Sequence, residues 1–397
     1  GLTRTVGVTN TVVTNAAFQD SLDVTGTVAN AKLSASALVN TAAGLTGDVT
    51  VTASTALAGS LADTLNLAFV SNANGVAGLT GQAVAPAADD AALVGVAADG
   101  SLLLQSVDGF PALLDDPWLN ARLTTLHACS DLWASGAEVL SVQALVTLPQ
   151  QAPALQETLL VQTLAGVQSV LGPMGARLIG GHTLEGRDGA GLSLALTVNG
   201  SCPGSPWPKG PLHGGDALVL VKPIGTGVLF AAAMAAAPSQ HCKPAWIDQA
   251  LAQMQQSQAP LVELLRDHGC QACTDITGFG LLGHLGEMLA ASAASIQVSL
   301  DAAALQGLAM AGSLELLERG YASSLAPSNA RSLALLDGPI QLHGPSSAGL
   351  HGLLIDPQTC GPLLAALPAH QAPSAIAALH AAGFAQAAVV GRVGEVS

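Results

Sequence analysis

The chain has 397 residues, of which 50% are hydrophobic, 10% charged and 3% aromatic, and its formal net charge is −15. A length of this order holds two or three domains, and the shortage of cations excludes the basic footprint of a non-specific nucleic-acid binder. No apolar run is long enough to span a membrane, no basic stretch leading into an apolar one opens the chain as a secretion signal would, and six dispersed cysteines do not make a disulfide framework, so a reducing cytoplasm is the expected setting.

Residues 1–83 are rich in Thr, Val, Ala, Asn and Gly, as in Gly47-Asp48-Val49-Thr50-Val51-Thr52. They read as short β-prone runs parted by turns, or as a poorly ordered arm. They show no strict repeat and no nucleophile or metal-ligand spacing, so a structural or accessory role is expected.

From residue 84 strands and helices alternate, which predicts an α/β body in layers. Leu102 to Val107 predicts a strand that delivers Asp108 at its tip. Residues 118–135 predict a helix with Leu119, Leu123, Leu126 and Leu132 near one stripe. Glu138 to Thr147 reads as a strand and 154–172 as a helix. Leu192 to Val198 and Ala217 to Val221 predict strands, followed by helices at 226–236, 245–268 and 279–292. The last third continues with a strand at 296–300, helices within 302–319, strand 361–366, helix 371–383 and strand 386–393. The Pro- and Gly-rich segment Ser201 to Pro208 reads as a linker, so domains are expected at 84–200 and 205–396.

Acidic side chains are few, and their positions are therefore informative. Asp90 stands at the mouth of a strand, Asp108 at the end of the next, Asp131 in an apolar helical stretch and Asp275 at the head of Thr274 to Gly280. A carboxylate among apolar neighbours needs a positive partner. Lys and Arg together number only 12, so a hard divalent cation is the natural candidate, and magnesium takes a few carboxylates together with substrate phosphate oxygens. Each aspartate alone reads as a helix cap or a turn; the set of four points to magnesium and ATP. Gly180-Gly181-His182-Thr183 and Gly225-Thr226-Gly227 read as glycine turns whose amides are free for an anion, although neither is a P-loop or a dinucleotide fingerprint. Cys270 and Cys273 lack a second ligand pair for zinc, and His127 and His284 read as core or loop residues.

In these segments the chain resembles the selenophosphate synthetase (selenide, water dikinase) family of the AIR synthase-like superfamily. The resemblance is carried by Asp89-Asp90-Ala91-Ala92, by Ser106-Val107-Asp108 with Asp115-Asp116-Pro117, and by Ala128-Cys129-Ser130-Asp131. Further on it rests on Gly180 to Thr183, Lys222-Pro223-Ile224-Gly225-Thr226-Gly227, Thr274 to His284 and Asp356-Pro357-Gln358-Thr359. It implies a two-domain AIR synthase-like fold whose N-terminal halves pair in a homodimer. It implies conversion of ATP, selenide and water to selenophosphate, AMP and phosphate. By the same resemblance Asp90, Asp131 and Asp275 hold magnesium, Asp108 stands with Asp131 among the residues at ATP, and Gly181, His182 and Thr183 contact nucleotide across the dimer. The expected partners are these small molecules and a second copy, not nucleic acid or membrane.

The chain departs from the family in its arm. The family carries a Cys or selenocysteine followed by an essential Lys ahead of the aspartate pair; residues 1–83 contain no Cys and one Lys, Lys32, in another context. Ala87-Ala88 replaces a Thr-Arg pair, and Cys360-Gly361-Pro362 replaces a Ser/Ala-Gly-Gly turn. The resemblance therefore assigns no catalytic thiol or lysine. Two other readings fit the same residues: a non-catalytic nucleotide-binding homologue acting as an assembly or regulatory partner, and an ATP-dependent kinase or ligase of the wider superfamily.

Overall fold

The computed structural model describes residues 2–9, 21–28, 33–41, 46–53, 66–72, 82–83, 89–235 and 241–395. It divides into two compact units, Gly1–Ala88 and Asp89–Ser397. In the first unit lie β1 (Leu2–Thr9), β2 (Ser21–Thr27), β3 (Leu33–Ala35), β4 (Ala37–Thr41), β5 (Thr46–Ala53), β6 (Asn66–Asn72) and β7 (Gln82–Ala83). They pair antiparallel in two sheets, ordered β1-β5-β3 and β4-β2-β6-β7. Register sets Thr5 opposite Thr50 and Val6 opposite Val49, and strand alternation then sends Val8 and Val49 inward while Thr5 stays exposed.

The second unit opens with β8 (Ala92–Val96) and β9 (Leu102–Pro111), then α1 (Pro117–Ala134), β10 (Glu138–Leu148), α2 (Pro153–Leu171), β11 (Arg177–Glu185) and β12 (Ser193–Cys202). These strands form a five-stranded sheet, β11-β10-β12-β9-β8, antiparallel except for the β10–β11 pair. β12 alternates half-buried and buried residues along its length, because helices α1 and α2 cover only one face of the sheet. Asp116 caps α1 by accepting the Leu119 N–H, and Pro117 occupies the first turn, where its missing N–H costs nothing. The two helices touch closely at Gly166, where a Cβ would strike the Trp118 carbonyl. On the uncovered face Val107 and Leu145 are exposed, as are Val94 and Leu140 at the bulges of β8 and β10.

The remainder comprises β13 (Asp216–Leu220), α3 (Thr226–Ala233), α4 (Pro244–Met254), α5 (Leu261–Asp267), β14 (Ala272–Asp275), α6 (Gly280–Ala290), β15 (Ile296–Asp301), α7 (Ala302–Gly307) and α8 (Ser313–Glu318). It continues with α9 (Ala326–Asn329), β16 (Ile340–His343), α10 (Ala348–Ile355), β17 (Leu363–Pro368), α11 (Ala372–Ala381) and β18 (Ala388–Glu395). The strands make a six-stranded sheet ordered β14-β17-β13-β18-β15-β16. Helices lie on both of its faces, so β13 is buried throughout. Leu218, Leu220, Leu364 and Ala366 pack with α6 and α10. Their neighbours Val219, Leu363, Ala365 and Leu367 point the other way, into a core that also holds α5, α11, α1 and the five-stranded sheet. The halves before and after residue 201 thus share a hydrophobic core, where truncating a buried leucine to alanine costs about 2–5 kcal/mol.

Several expectations change in three dimensions. The strand that carries Asp108 continues to Pro111, paired with β12, so the carboxylate lies inside a strand instead of at its tip. The single helix expected at 245–268 is two, α4 and α5, parted by Gln255 to Pro260; Gln258 is buried there and clasps Gly361 O and Leu363 N with its amide. The segment read as a linker begins inside β12, and its Trp207 is buried against Gly136 with the Arg266 guanidinium 5.5 Å from its ring.

Candidate functional site

Three aspartates far apart in sequence converge. Asp90 precedes β8, Asp131 lies in the last turn of α1, and Asp275 ends β14. One carboxylate oxygen of each lies within 4.8 Å of the others. Nothing in helix propensity explains Asp131, since a negative charge near a helix C-terminus opposes the helix dipole and the last turn of α1 holds no basic residue. Nor does Asp275 cap α6, which has no side-chain cap. Burial, then Asp275, pushes the Asp90 carboxyl up to about 7 against the pull of Lys209. Burial, then the charges of Asp275, Asp90 and Asp108, pushes Asp131 up to about 9. Such a cluster holds more negative charge than its neighbours balance, and its donors are all hard oxygens, the set that suits magnesium.

Some positive charge is supplied by Lys209, which the sequence reading passed over. Its Nζ lies 3.1 Å from Asp90 Oδ1 and 3.0 Å from Glu287 Oε2. His284, expected to be a core or loop residue, stands behind this pair: Nε2 accepts the Thr277 N–H at 3.1 Å, which turns Nδ1 toward Glu287 Oε2 at 3.2 Å. Glu287 is held down to about 2, burial being outweighed by His284 and Lys209. The hydroxyl of Ser130 faces Asp275 Oδ2 and the His127 carbonyl; its single proton can serve one of them at a time.

Asp108 stands beside this cluster. Strand alternation places it on the helix-facing side of the sheet with Leu104 and Ser106, where His127 Nε2 of α1 is 3.1 Å from its Oδ2. Its Oδ1 accepts the Gly109 N–H at 2.6 Å. Burial raises the Asp108 pKa, and the His127 hydrogen bond and charge with the Gly109 amide more than offset it, leaving the group below its ordinary value. Asp108 and His127 line a cavity of about 540 Å³ with Phe110, Phe230, Met234 and Gln358. Its apolar walls and few polar groups are those of a small-molecule site. His127 lies four residues before Asp131, and that one-turn spacing on a single helix face was the signal that could have marked it.

The two glycine segments do not form the anion turns expected of them. The amides of Gly225 and Thr226 at the head of α3 donate to Gln358 Oε1 at 2.7 and 3.0 Å, and Val228 N donates to Asp356 Oδ2 at 3.1 Å. These donors are already satisfied by the chain. Gly180 to Thr183 is no turn but part of β11, with Gly181, His182 and Thr183 opposite Ala144, Leu145 and Val146 of β10. Gly181 and His182 line a hollow of about 270 Å³ with Val107, Leu145 and Thr197, and none of the three lines the cavity at Asp108. Cys129, Cys202, Cys270, Cys273 and Cys360 are not disulfide-bonded. Burial pushes the Cys129 and Cys273 thiols well up and Cys360 to about 12, so these three are not thiolates at neutral pH.

Residues 88–202 match the AIR synthase related protein, N-terminal domain, and residues 214–397 match the AIR synthase related protein, C-terminal domain. A selenide, water dikinase of Desulfitobacterium hafniense is 34% identical over 308 residues, covering 77% of this chain and 84% of that protein. The selenide, water dikinase of Geobacter metallireducens is 32% identical over the same shares of both chains. Among solved structures, thiamine-monophosphate kinase from Stenotrophomonas maltophilia superposes with a TM-score of 0.53 at 19% identity, covering 79% of this chain and 88% of that one. Escherichia coli HypE, a hydrogenase maturation protein, gives 0.53 at 20% identity over 74% and 80%. At such identities the two structures speak for the fold alone, a mixed α/β AIR synthase-like one.

Proposed function

The chain belongs to the selenide, water dikinase family of AIR synthase related proteins, and on that premise we propose that it is a selenophosphate synthetase-like enzyme converting ATP, selenide and water to selenophosphate, AMP and phosphate. The observation that carries the reading is the convergence of Asp90, Asp131 and Asp275 beside the Asp108 cavity. The three carboxylates would hold magnesium, which supplies positive charge against the nucleotide phosphates. The chain's own groups do the rest. Phe110, Phe230 and Met234 give the cavity walls that shed water around a bound base. Asp108 offers an ionised acceptor to the nucleotide, and Lys209 keeps an ammonium at the edge of the aspartate cluster. With Cys129 and Cys360 held as thiols, we take selenide, itself an anion, as the nucleophile without help from a protein thiolate.

The same reading assigns residues 84–200 and 205–396 as the two domains of the enzyme and 1–83 as an appended segment outside its chemistry. We also propose a homodimer working in the cytoplasm. Val107 and Leu145 are exposed on one face of the five-stranded sheet, with Val94 and Leu140 exposed at its bulges, and a second copy laid there would cover them and bring Gly181, His182 and Thr183 to a shared nucleotide. The test is an ATPase assay with and without selenide, separating AMP from ADP. Selenide-dependent AMP, lost together with magnesium-ATP binding in Asp275→Ala, is the expected result. ADP as the product, or undiminished ATP affinity in that variant, would reject the assignment.

A further inference from the structure

His127 has two ring nitrogens with different partners. The backbone N–H of Cys360 donates to Nδ1 at 3.0 Å, so the ring proton sits on Nε2 and points at Asp108 Oδ2, 3.1 Å away. His127 is 8% exposed, and Phe110 meets its ring edge-on with the two ring centroids 5.3 Å apart, so little else can turn it. Its anchor is unusual. Cys360, at φ 53, is the one non-glycine residue with positive φ among the described residues, a conformation that persists only where its surroundings enforce it.

Those surroundings are visible. The buried Lys222 Nζ donates to the Cys360 carbonyl at 2.8 Å, the Cys360 thiol faces Leu123 O at 3.1 Å, and Gln258 holds the next residues through Gly361 O and Leu363 N. The peptide that aims at His127 is thus gripped on both sides. Lys222, Gln258 and Cys360 all follow residue 201, whereas His127 and Asp108 precede it. A chain of contacts therefore runs from the six-stranded-sheet half, through one imidazole, to a carboxylate of the other half that lines the cavity.

We propose that His127 is a positioning residue for the nucleotide: it fixes the Asp108 carboxylate at the cavity and ties that setting to the Cys360 turn. The proposal rests on the nucleotide reading of the cavity. It assigns the strained turn a purpose, since relaxing Cys360 would swing its N–H away and free the ring to rotate.

The test is binding of a non-hydrolysable magnesium-ATP analogue, measured by calorimetry, to wild type, Asp108→Asn, His127→Leu, His127→Gln and His127→Asn, with Tm recorded for each without nucleotide. His127→Leu should weaken binding about tenfold or more, the loss of a hydrogen bond to a charged group. His127→Gln carries an amide donor that reaches Asp108 and should bind within about threefold of wild type. His127→Asn can still accept the Cys360 N–H but falls short of Asp108; it should bind as poorly as the Leu variant while unfolding no earlier than Gln. The opposing orders of affinity and Tm separate aiming from mere anchoring. Wild-type affinity in His127→Leu, with Asp108→Asn weakened, overturns the proposal, as does a Gln variant no better than Leu. No loss of affinity in Asp108→Asn, or no binding by wild type, overturns the nucleotide reading itself.

Discussion

Replacing Asp131 by Asn is expected to stabilise the metal-free protein while removing its response to magnesium. Burial and the neighbouring carboxylates push Asp131 up to about 9, whereas the unfolded chain ionises the same group near pH ~3.9. A carboxyl whose folded pKa lies above its unfolded one holds its proton more tightly when folded. Stability therefore falls as pH rises from about 4 to about 9. At pH 8 the distance from the unfolded value is about four pH units, a ceiling of roughly 5–6 kcal/mol at about 1.36 kcal/mol per unit. The three carboxylates share one repulsion, so a single substitution recovers a fraction, about 1–3 kcal/mol. With an unfolding entropy of about 2.1 cal/mol/K per residue, a unit of roughly 300 residues gains about 2–5 °C in Tm. Calorimetry at pH 5 and pH 8, with and without magnesium, reads the effect. Wild type should lose Tm between pH 5 and 8 and regain it with magnesium; the Asn variant should lose less and regain little. An Asn variant that unfolds before wild type at pH 8 without metal, or that gains as much from magnesium, would refute the reasoning.

Lys209→Met should have two opposite effects. Without metal it removes the cation between Asp90 and Glu287, leaving only His284 beside Glu287, and lowers stability by about 2–4 kcal/mol, seen in urea unfolding. With nucleotide absent it should tighten manganese binding several-fold by electron paramagnetic resonance, because an ammonium 3.1 Å from Asp90 Oδ1 no longer competes; weaker manganese binding would show that Lys209 assists the cation. Iodoacetamide at pH 7.5 should leave selenide-dependent AMP formation unchanged, since the buried Cys129, Cys273 and Cys360 thiols are pushed up in pKa and inert. Inactivation with the modified residue mapped to one of these three would restore a resident thiol to the mechanism.

Much of the second unit was legible because local pattern and tertiary environment agree there. The leucine stripe of 118–135, the alternation of 138–147 and the apolar run at 217–221 became α1, β10 and β13 with small changes of boundary. The misreadings share a cause. Gly180 to Thr183 looks like a turn by composition, yet the parallel partner β10 draws it into a strand, and its extended backbone suits glycine there. Residues 245–268 read as one helix because the break at Gln258 is fixed by contacts with Gly361 and Leu363, more than a hundred positions away.

By itself the sequence singled out Asp90, Asp108, Asp131 and Asp275 as a set, although each alone reads as a cap or a turn and Asp108 was expected at a strand tip. It also determined the family, through motifs long enough to be specific. The tertiary structure alone decided what balances those charges. Lys209 reaches Asp90 across 119 positions and His127 meets both Asp108 and Cys360, while the amides of the α3 glycine turn are consumed by Gln358 and Asp356. The reason is physical. Burial and periodicity are properties of a residue and its sequence neighbours, whereas a hydrogen bond or an ion pair needs two groups within about 3 Å, and only the folded chain brings distant segments that close.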